Sequence, residues 1–254
     1  MRIVRAISEL RLDGEVGLVP TMGALHAGHV ALFRAARAEN ETVVASLFVN
    51  AAQFDVGADL AAYPRDEARD AEIAEQEGVD VLFAPDAEEM YPGGFGTWVD
   101  VENGGAEGVA RPGHFRGVAT VCLKLFNIVG PRRAYFGQKD AQQAIVVRRL
   151  VRDLNLGVEI RVLPTVRDPD GLALSSRNTR LSPSERELAL GLPRALAKAA
   201  GTADPVAAAR AELNGLTPDY VELLDLDGAT LLAAAVRVGS TRLIDNVLLK
   251  GELS

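Results

Sequence analysis

Val16 to Val19 and Val43 to Val49 are short runs rich in branched apolar residues. Between them lie PTMGALHAGH, Pro20 to His29, and a stretch to Glu39 with Val30, Leu32, Phe33, Ala35 and Ala36 at helical spacing. Strand, glycine-bearing loop, helix and strand in this order predict a βαβ unit with parallel strands. Units of this kind bind ligands at the carboxyl ends of their strands, where the loop falls.

His26 and His29 stand three residues apart at the predicted helix start, a spacing that brings both imidazoles to one side of the first turn. Unpaired N–H groups and the helix dipole favour an anion there, and Gly28 leaves room for a phosphate oxygen to approach the backbone. A histidine in this place can donate a hydrogen bond and, if protonated, offset charge on a phosphoryl oxygen. The same pattern also fits a helix-start residue at His26 and a packing residue at His29, and the loop alone does not decide. Gly23 and Gly28 have the gap of a P-loop, but His29 and Val30 stand where that loop needs Lys and Ser or Thr, which excludes a Walker-type site.

With 254 residues, 48% hydrophobic and 24% charged, the chain is long enough for one large or two small globular domains. A net charge of −8 argues against nucleic acid or an anionic membrane as the main partner, so any anionic ligand must be met by local positive groups. The single cysteine, Cys122, lies in the apolar stretch Val118 to Val129 and excludes both a disulfide framework and a cysteine-rich zinc site. MRIVRAISEL lacks a signal-peptide apolar region, and no apolar run approaches membrane-spanning length. A cytoplasmic protein is expected.

After the second strand, Asn50 and Gln53 of NAAQF offer amides suited to hydroxyl and carboxylate oxygens, or form an ordinary capped loop. YPRDEARD runs into a predicted helix ending near Glu77, with Gly78 as C-cap, and Val79 to Phe83 reads as a strand. Asp86 to Gly113, including MYPGGFG and ENGGAEG, reads as flexible loops bordering a site. Arg111 and His114 of RPGHFRG put a cation and the third histidine ahead of a helix over 118–129, where they suit an anion or make a surface basic cluster.

Arg133 to Phe136 predicts a strand, and GQKDAQQ turns from it into a helix ending near Leu154. Here Gly137 allows a tight turn, Lys139 supplies a point charge for phosphate, Asp140 caps the helix or accepts from a ribose hydroxyl, and Gln143 faces back one turn later. Beyond a strand at Val158 to Leu163, the polar loop Pro164 to Asn178 is too long for a mere connector. Its Ser175, Ser176 and Arg177 form a mobile donor set able to close over a triphosphate. From Pro183 the pattern changes to helices over Pro183 to Ala200 and Asp204 to Asn214, then antiparallel strands at Tyr220 to Leu226, Ala233 to Val238 and Thr241 to Leu249. The expected fold is α/β, a parallel sheet in residues 1–167 followed by a smaller α+β domain in residues 168–254.

PTMGALHAGH, FVNAAQF, YPR, RPGHFRGV, AYFGQKDAQQ, PTVRDPDGLALSSRN and TRLIDN, in this order, resemble the pantothenate synthetase family over nearly the whole chain. The resemblance implies a Rossmann-like sheet of the nucleotidyltransferase type and the joining of pantoate to β-alanine with ATP, through a pantoyl adenylate, releasing AMP and pyrophosphate. It implies His26, His29 and Lys139 as the catalytic set, with both histidines against the ATP phosphates and His29 the proton-donating or charge-stabilising group at the α-phosphate, and Met22, Gly23, Leu25 and Gly28 of the same loop beside the nucleotide. Lys139, Ser175, Ser176 and Arg177 would hold the triphosphate; Gly137, Asp140, Val166 and Leu174 would line the nucleotide. Pantoate would lie between Met22, Gln53 and Gln143, with Asn50, Arg111 and His114 close by.

Three departures from the family pattern are mild: Ala51 and Ala52 within NAAQF, Gln138 in GQKD, and Leu174 before SSRN. At the acidic metal positions after YPR, Asp70 fits a Mg2+ ligand but Arg69 sits where a second carboxylate is expected, so magnesium would be held at Asp70 or arrive on ATP. A homodimer is implied by the resemblance alone. Three other readings are an enzyme moving AMP to a different small-molecule acceptor, a non-catalytic nucleotide-binding regulator, and a metal-dependent hydrolase using His26, His29 and His114.

Overall fold

β2 (Val16–Thr21), α1 (Ala27–Glu39) and β3 (Thr42–Leu47) form the expected βαβ unit after a first short strand, β1 (Arg2–Val4), with Val16 paired to Thr42 and Thr21 to Leu47 in parallel register. The computed structural model describes residues 1–54, 57–102, 105–226 and 228–252. The chain continues through α2 (Gly57–Ala61), α3 (Glu67–Gln76), β4 (Val81–Phe83), α4 (Ala87–Met90), α5 (Gly105–Ala110) and α6 (His114–Val129). Then come β5 (Arg133–Gly137), α7 (Ala141–Asp153), β6 (Glu159–Leu163), α8 (Pro183–Ala189), α9 (Gly191–Ala199), α10 (Pro205–Glu212), β7 (Thr217–Leu226), β8 (Ala229–Val238) and β9 (Thr241–Lys250).

Among the described residues β1 to β6 form one parallel sheet in the order β1-β4-β3-β2-β5-β6. The chain steps outward from β2 through β3 to β4, then returns to the other side of β2 for β5 and β6. The loops leaving β2 and β5 therefore diverge and open a crevice at their carboxyl ends. Alternate residues face opposite layers: Leu18, Val44, Phe83 and Phe136 join the core with α6 and α7, while Val19, Val43, Leu82 and Tyr135 join Leu32, Phe33 and Ala36 of α1.

β7, β8 and β9 form a separate antiparallel sheet. One face of β8, through Leu231, Ala233 and Ala235, packs into the main core, and the other, through Leu232, Ala234 and Val236, packs on Leu192 and Leu196 of α9. Burial on both faces explains the unbroken apolar run in this strand.

Several expectations shift. β1 gives no signal in the sequence because two of its three residues are exposed, which leaves no alternation to read. ENGGAEG reads as a loop, yet α5 begins at Gly105; Asn103 and Gly104 lie outside the described residues. α6 starts at His114, after Gly113 at φ +82°, so the histidine sits in the first turn of the helix rather than ahead of it. The single helix expected over Pro183 to Ala200 is two, broken at Leu190: Pro193 has no N–H to donate and its ring crowds the carbonyl of Ala189. No helix among the described residues is long and apolar enough to cross a membrane.

Candidate functional site

The loop leaving β2 is held open by a residue from another helix. Gly23 turns at φ +85° and Ala24 at φ +52°, which aims the N–H groups of Ala24 and Leu25 at the carboxylate of Asp70 on α3, each at 2.8 Å. A side chain at position 23 would lie 2.8 Å from an Asp70 oxygen. Asp70 is 1% exposed, and both its oxygens are taken by backbone N–H. Asp70, expected as a metal ligand, thus serves as a loop anchor, and no group of three His, Cys, Asp or Glu able to hold a metal occurs among the described residues. Leu25, expected beside the nucleotide, instead packs its side chain into the core with Val19 and Phe33, because the anchored turn directs it inward.

His26 is the N-cap of α1 and His29 its third residue, and the two rings close a reciprocal pair. His26 Nδ1 accepts from the Gly28 N–H at 3.1 Å, and His29 Nδ1 accepts from the His26 N–H at 3.3 Å. The ring centroids are 4.2 Å apart. With Nδ1 an acceptor on both rings, the neutral tautomer carries its proton on Nε2. Burial, then the charge of Lys139, pushes His26 down to about 4; burial, then His26, pushes His29 down to about 3. Both are therefore neutral donors near pH 7 rather than cations. The room left by Gly28 is taken by the His26 ring, since a Cβ there would lie 2.8 Å from His26 Cε1.

Asn50, expected as a substrate contact, is 1% exposed and spent on structure. Its Oδ1 accepts from the Tyr91 hydroxyl at 2.9 Å, and its Nδ2 donates to Gln53 Oε1 at 3.0 Å and to the Gly117 carbonyl at 3.1 Å. Asn50 thus fixes the orientation of Gln53 and leaves Nε2 as that amide's donor end. The Gln53 carbonyl accepts from His114 Nδ1 at 2.8 Å and from Arg111 at 3.2 Å, while Arg111 also lies 3.3 Å from His114 Nε2. Burial, then Arg111, lowers His114 to about 4, so it is a neutral Nδ1–H donor. α6 can approach this turn because Gly117 carries no side chain: a Cβ would sit 2.4 Å from the Ala52 carbonyl oxygen.

The second wall is the turn after β5. Gln138–Asp140 is a single 3-10 turn, and Asp140 heads α7 without a side-chain capping bond. Asp140 thus stands at the N-cap position expected of it but makes no side-chain capping bond; its carboxylate lies 3.6 Å from Lys139 Nζ. The turn is gripped by β9: Asn246 Nδ2 donates to the carbonyls of Gln138 and Lys139 at 2.8 and 3.1 Å, and Asn246 Oδ1 accepts from Gln138 Nε2 at 2.9 Å. Next to it Asp245 pairs both oxygens with Arg167, at 2.6 and 3.0 Å, fixing the start of the long loop. Arg177, expected to be a mobile donor, is tied to Asp59 of α2 at 2.7 Å, as is Arg180.

These walls enclose two adjoining cavities. The smaller, about 220 Å³, is bordered by Met22, His26, Gly28 and His29 from the β2 loop, by Asn50 and Gln53, and by Gly137, Lys139, Asp140 and Gln143 from the β5 turn. Val166, Leu174, Ser175, Ser176 and Arg177 close it, over an apolar floor of Val118, Val121, Cys122 and Leu125. The larger, about 460 Å³, shares Met22, Gln53, Lys139 and Gln143 and reaches past Arg111 and His114 to the C-terminal sheet. Cys122 is inert, its thiol pushed up to about 12 by burial. Neutral N–H donors, one lysine and apolar walls suit a polyanion whose other end is partly apolar.

Sequence reasoning misses Asp59, Tyr91, Gly117, Asp245 and Asn246. Asp245 and Asn246 lie within TRLIDN but show no chemistry of their own in the sequence; the others give no local signal. The family model described as pantoate-beta-alanine ligase matches residues 1–248. A pantothenate synthetase of Roseiflexus castenholzii is 53% identical over 277 aligned positions, covering 98% of this chain and all of that one. One of Corynebacterium glutamicum is 52% identical, covering 91% and 92%. Among solved structures, a pantothenate synthetase of Thermus thermophilus superposes with a TM-score of 0.91 at 46% identity, covering 99% and 100%. A Francisella tularensis pantoate-beta-alanine ligase, solved with beta-gamma ATP and beta-alanine, superposes with a TM-score of 0.85 at 35% identity over both whole chains.

Proposed function

The chain belongs to the pantoate-beta-alanine ligase family, a ligase forming a carbon–nitrogen bond from pantoate, β-alanine and ATP, and we propose that its cleft does so in two steps through a pantoyl adenylate. The observation that carries this reading is the convergence of the β2 loop, the 50–53 turn, the β5 turn and the 164–178 loop on one cavity.

A carboxylate resists an amine because its charge repels the nucleophile and oxide is a poor leaving group. In the first step a pantoate carboxylate oxygen attacks the α-phosphorus in line, and the bond to the bridging oxygen breaks to release pyrophosphate. In the second the β-alanine nitrogen attacks the acyl carbon, AMP leaves, and the nitrogen gives up a proton. The protein's part is positioning and charge stabilisation. His26 and His29 donate from Nε2 to the phosphates, His29 at the α-phosphate, and Lys139, Ser175, Ser176 and Arg177 hold the triphosphate. Val166, Leu174 and Gly137 line the nucleotide and Asp140 accepts from the ribose. Gln53 and Gln143 bind pantoate beside Met22, while Arg111 and His114 set the Gln53 backbone.

With each Asp70 oxygen engaged by a backbone N–H group, magnesium is proposed to enter as part of the ATP complex, held by phosphate oxygens and water. Residues 1–167 bind nucleotide and pantoate and residues 168–254 close over ATP. The enzyme is assigned to the cytoplasm, where ATP is supplied, as a homodimer.

The test is pyrophosphate release from ATP and magnesium with pantoate alone, then with β-alanine, following pantothenate by mass spectrometry. Release with pantoate and pantothenate only with β-alanine are expected. Release without amide formation would favour transfer of AMP to another acceptor.

A further inference from the structure

Asp59 lies in the five-residue helix α2, between the Gln53 turn and Tyr63, and no expectation attaches to it. Its Oδ2 accepts from Arg177 Nη2 and its Oδ1 from Arg180 Nη1, both at 2.7 Å, across 118 and 121 residues of sequence. Arg180 makes a further bond to the Ala62 carbonyl at 3.0 Å, so the α2 segment is joined to the 176–180 turn at two places. The three side chains are 23%, 26% and 28% exposed, which shields the pairs from much of the screening that weakens surface ion pairs.

We propose that Asp59 is a positioning residue of the nucleotide site, bridging Arg177 and Arg180 so that the Arg177 guanidinium faces the triphosphate and the two walls of the cleft stay together. The proposal rests on the triphosphate reading of that cavity. Arg177 borders both cavities, and Asp59 and Arg180 border the larger one, so the bridge stands where the two meet. A guanidinium has five N–H groups, of which Asp59 takes one from Arg177; the others remain for phosphate oxygens. Two unbridged guanidinium groups this close would repel and swing apart. The carboxylate removes that repulsion while leaving the cluster net positive, which suits a polyanion. A wall held in place also keeps water from a reactive anhydride.

Binding of α,β-methylene ATP, whose α,β bridge cannot be cleaved and which therefore cannot transfer AMP to pantoate, is measured by calorimetry on the full chain and on Asp59→Asn and Asp59→Glu. Asp59→Asn is expected to bind the analogue about tenfold more weakly, the loss of one charge-assisted hydrogen bond, and to raise KM for ATP similarly with a smaller change in kcat. It should also release more pyrophosphate per pantothenate formed. Asp59→Glu should recover most of the affinity, which a merely structural lesion would not do. Analogue affinity unchanged or increased in Asp59→Asn would overturn the proposal. If Asp59→Asn does not fold, Arg180→Gln carries the test with the same expected direction. Analogue binding needs no chemistry, so wild-type binding without pantothenate formation would refute the ligase reading while leaving the Asp59 result standing.

Discussion

Asn246 holds Gln138 by two reciprocal bonds: Gln138 Nε2 donates to Asn246 Oδ1 at 2.9 Å, and Asn246 Nδ2 donates back to the Gln138 backbone carbonyl at 2.8 Å. Both are buried, and the pair ties the last strand of the chain to the turn that carries Lys139. Asn246→Ala would leave one buried donor and two carbonyls short of partners. A loss of about 2–4 kcal/mol by urea unfolding is expected, since each unmet group costs roughly 1–3 kcal/mol with partial relaxation. Turnover should fall at least about tenfold as Lys139 loses its fixed place. Wild-type stability and rate together would show that the pair does not hold the turn.

Asp70→Asn separates an anchor from a metal ligand. An amide can accept one of the two N–H groups of Ala24 and Leu25 but sets its own N–H2 against the other, a cost of about 2 kcal/mol at a fully buried site. The magnesium concentration that gives half-maximal rate should stay as in the wild type. A rightward shift of that titration would restore Asp70 to the metal.

The three histidines make a pH signature. In the folded chain His26 and His114 stay neutral down to about 4 and His29 down to about 3, whereas in the unfolded chain each protonates near 6.5. Between those values the unfolded chain binds more protons, so stability rises with pH, is complete above about 6.5 and is lost as pH falls toward 4. Melting temperatures from pH 4.5 to 7.5 should climb and then level. At pH 7, 15N spectra should show Nε2–H tautomers for His26 and His29 and Nδ1–H for His114; an imidazolium at either of the first two would contradict the hydrogen-bond pattern.

Gly117→Ala tests the close approach of α6 to the Gln53 turn. The added methyl meets backbone, not a side chain that can swing away, so a loss of about 1–3 kcal/mol is expected. KM for pantoate should rise more than KM for ATP, because the displaced turn carries Gln53. Equal changes in the two would place the lesion elsewhere.

The βαβ core is legible because periodicity is local: Val16 to Val49 shows its strands and helix without reference to anything else. The glycine-bearing loops after β2 and β5 announce their chemistry through residue type, and the structure brings both to one crevice. Where expectation and structure part, the cause is a partner distant in sequence. Asn50 reads as a substrate amide until Tyr91 and Gly117 are found to use it. Arg177 reads as mobile until Asp59 is found beside it.

By itself, then, the sequence determined the strands and helix of the βαβ core, where the anion-binding chemistry is concentrated and which family the chain resembles, since periodicity and residue type are carried by neighbours along the chain. Only the tertiary structure decided which polar groups face the cleft and which hold it in shape. The reason is the demand that buried polar groups be paired. Once the β2 loop bends through Gly23, its N–H groups need an acceptor, and the Asp70 carboxylate supplies it; once β9 reaches the Lys139 turn, that turn's carbonyls need donors, and Asn246 supplies them.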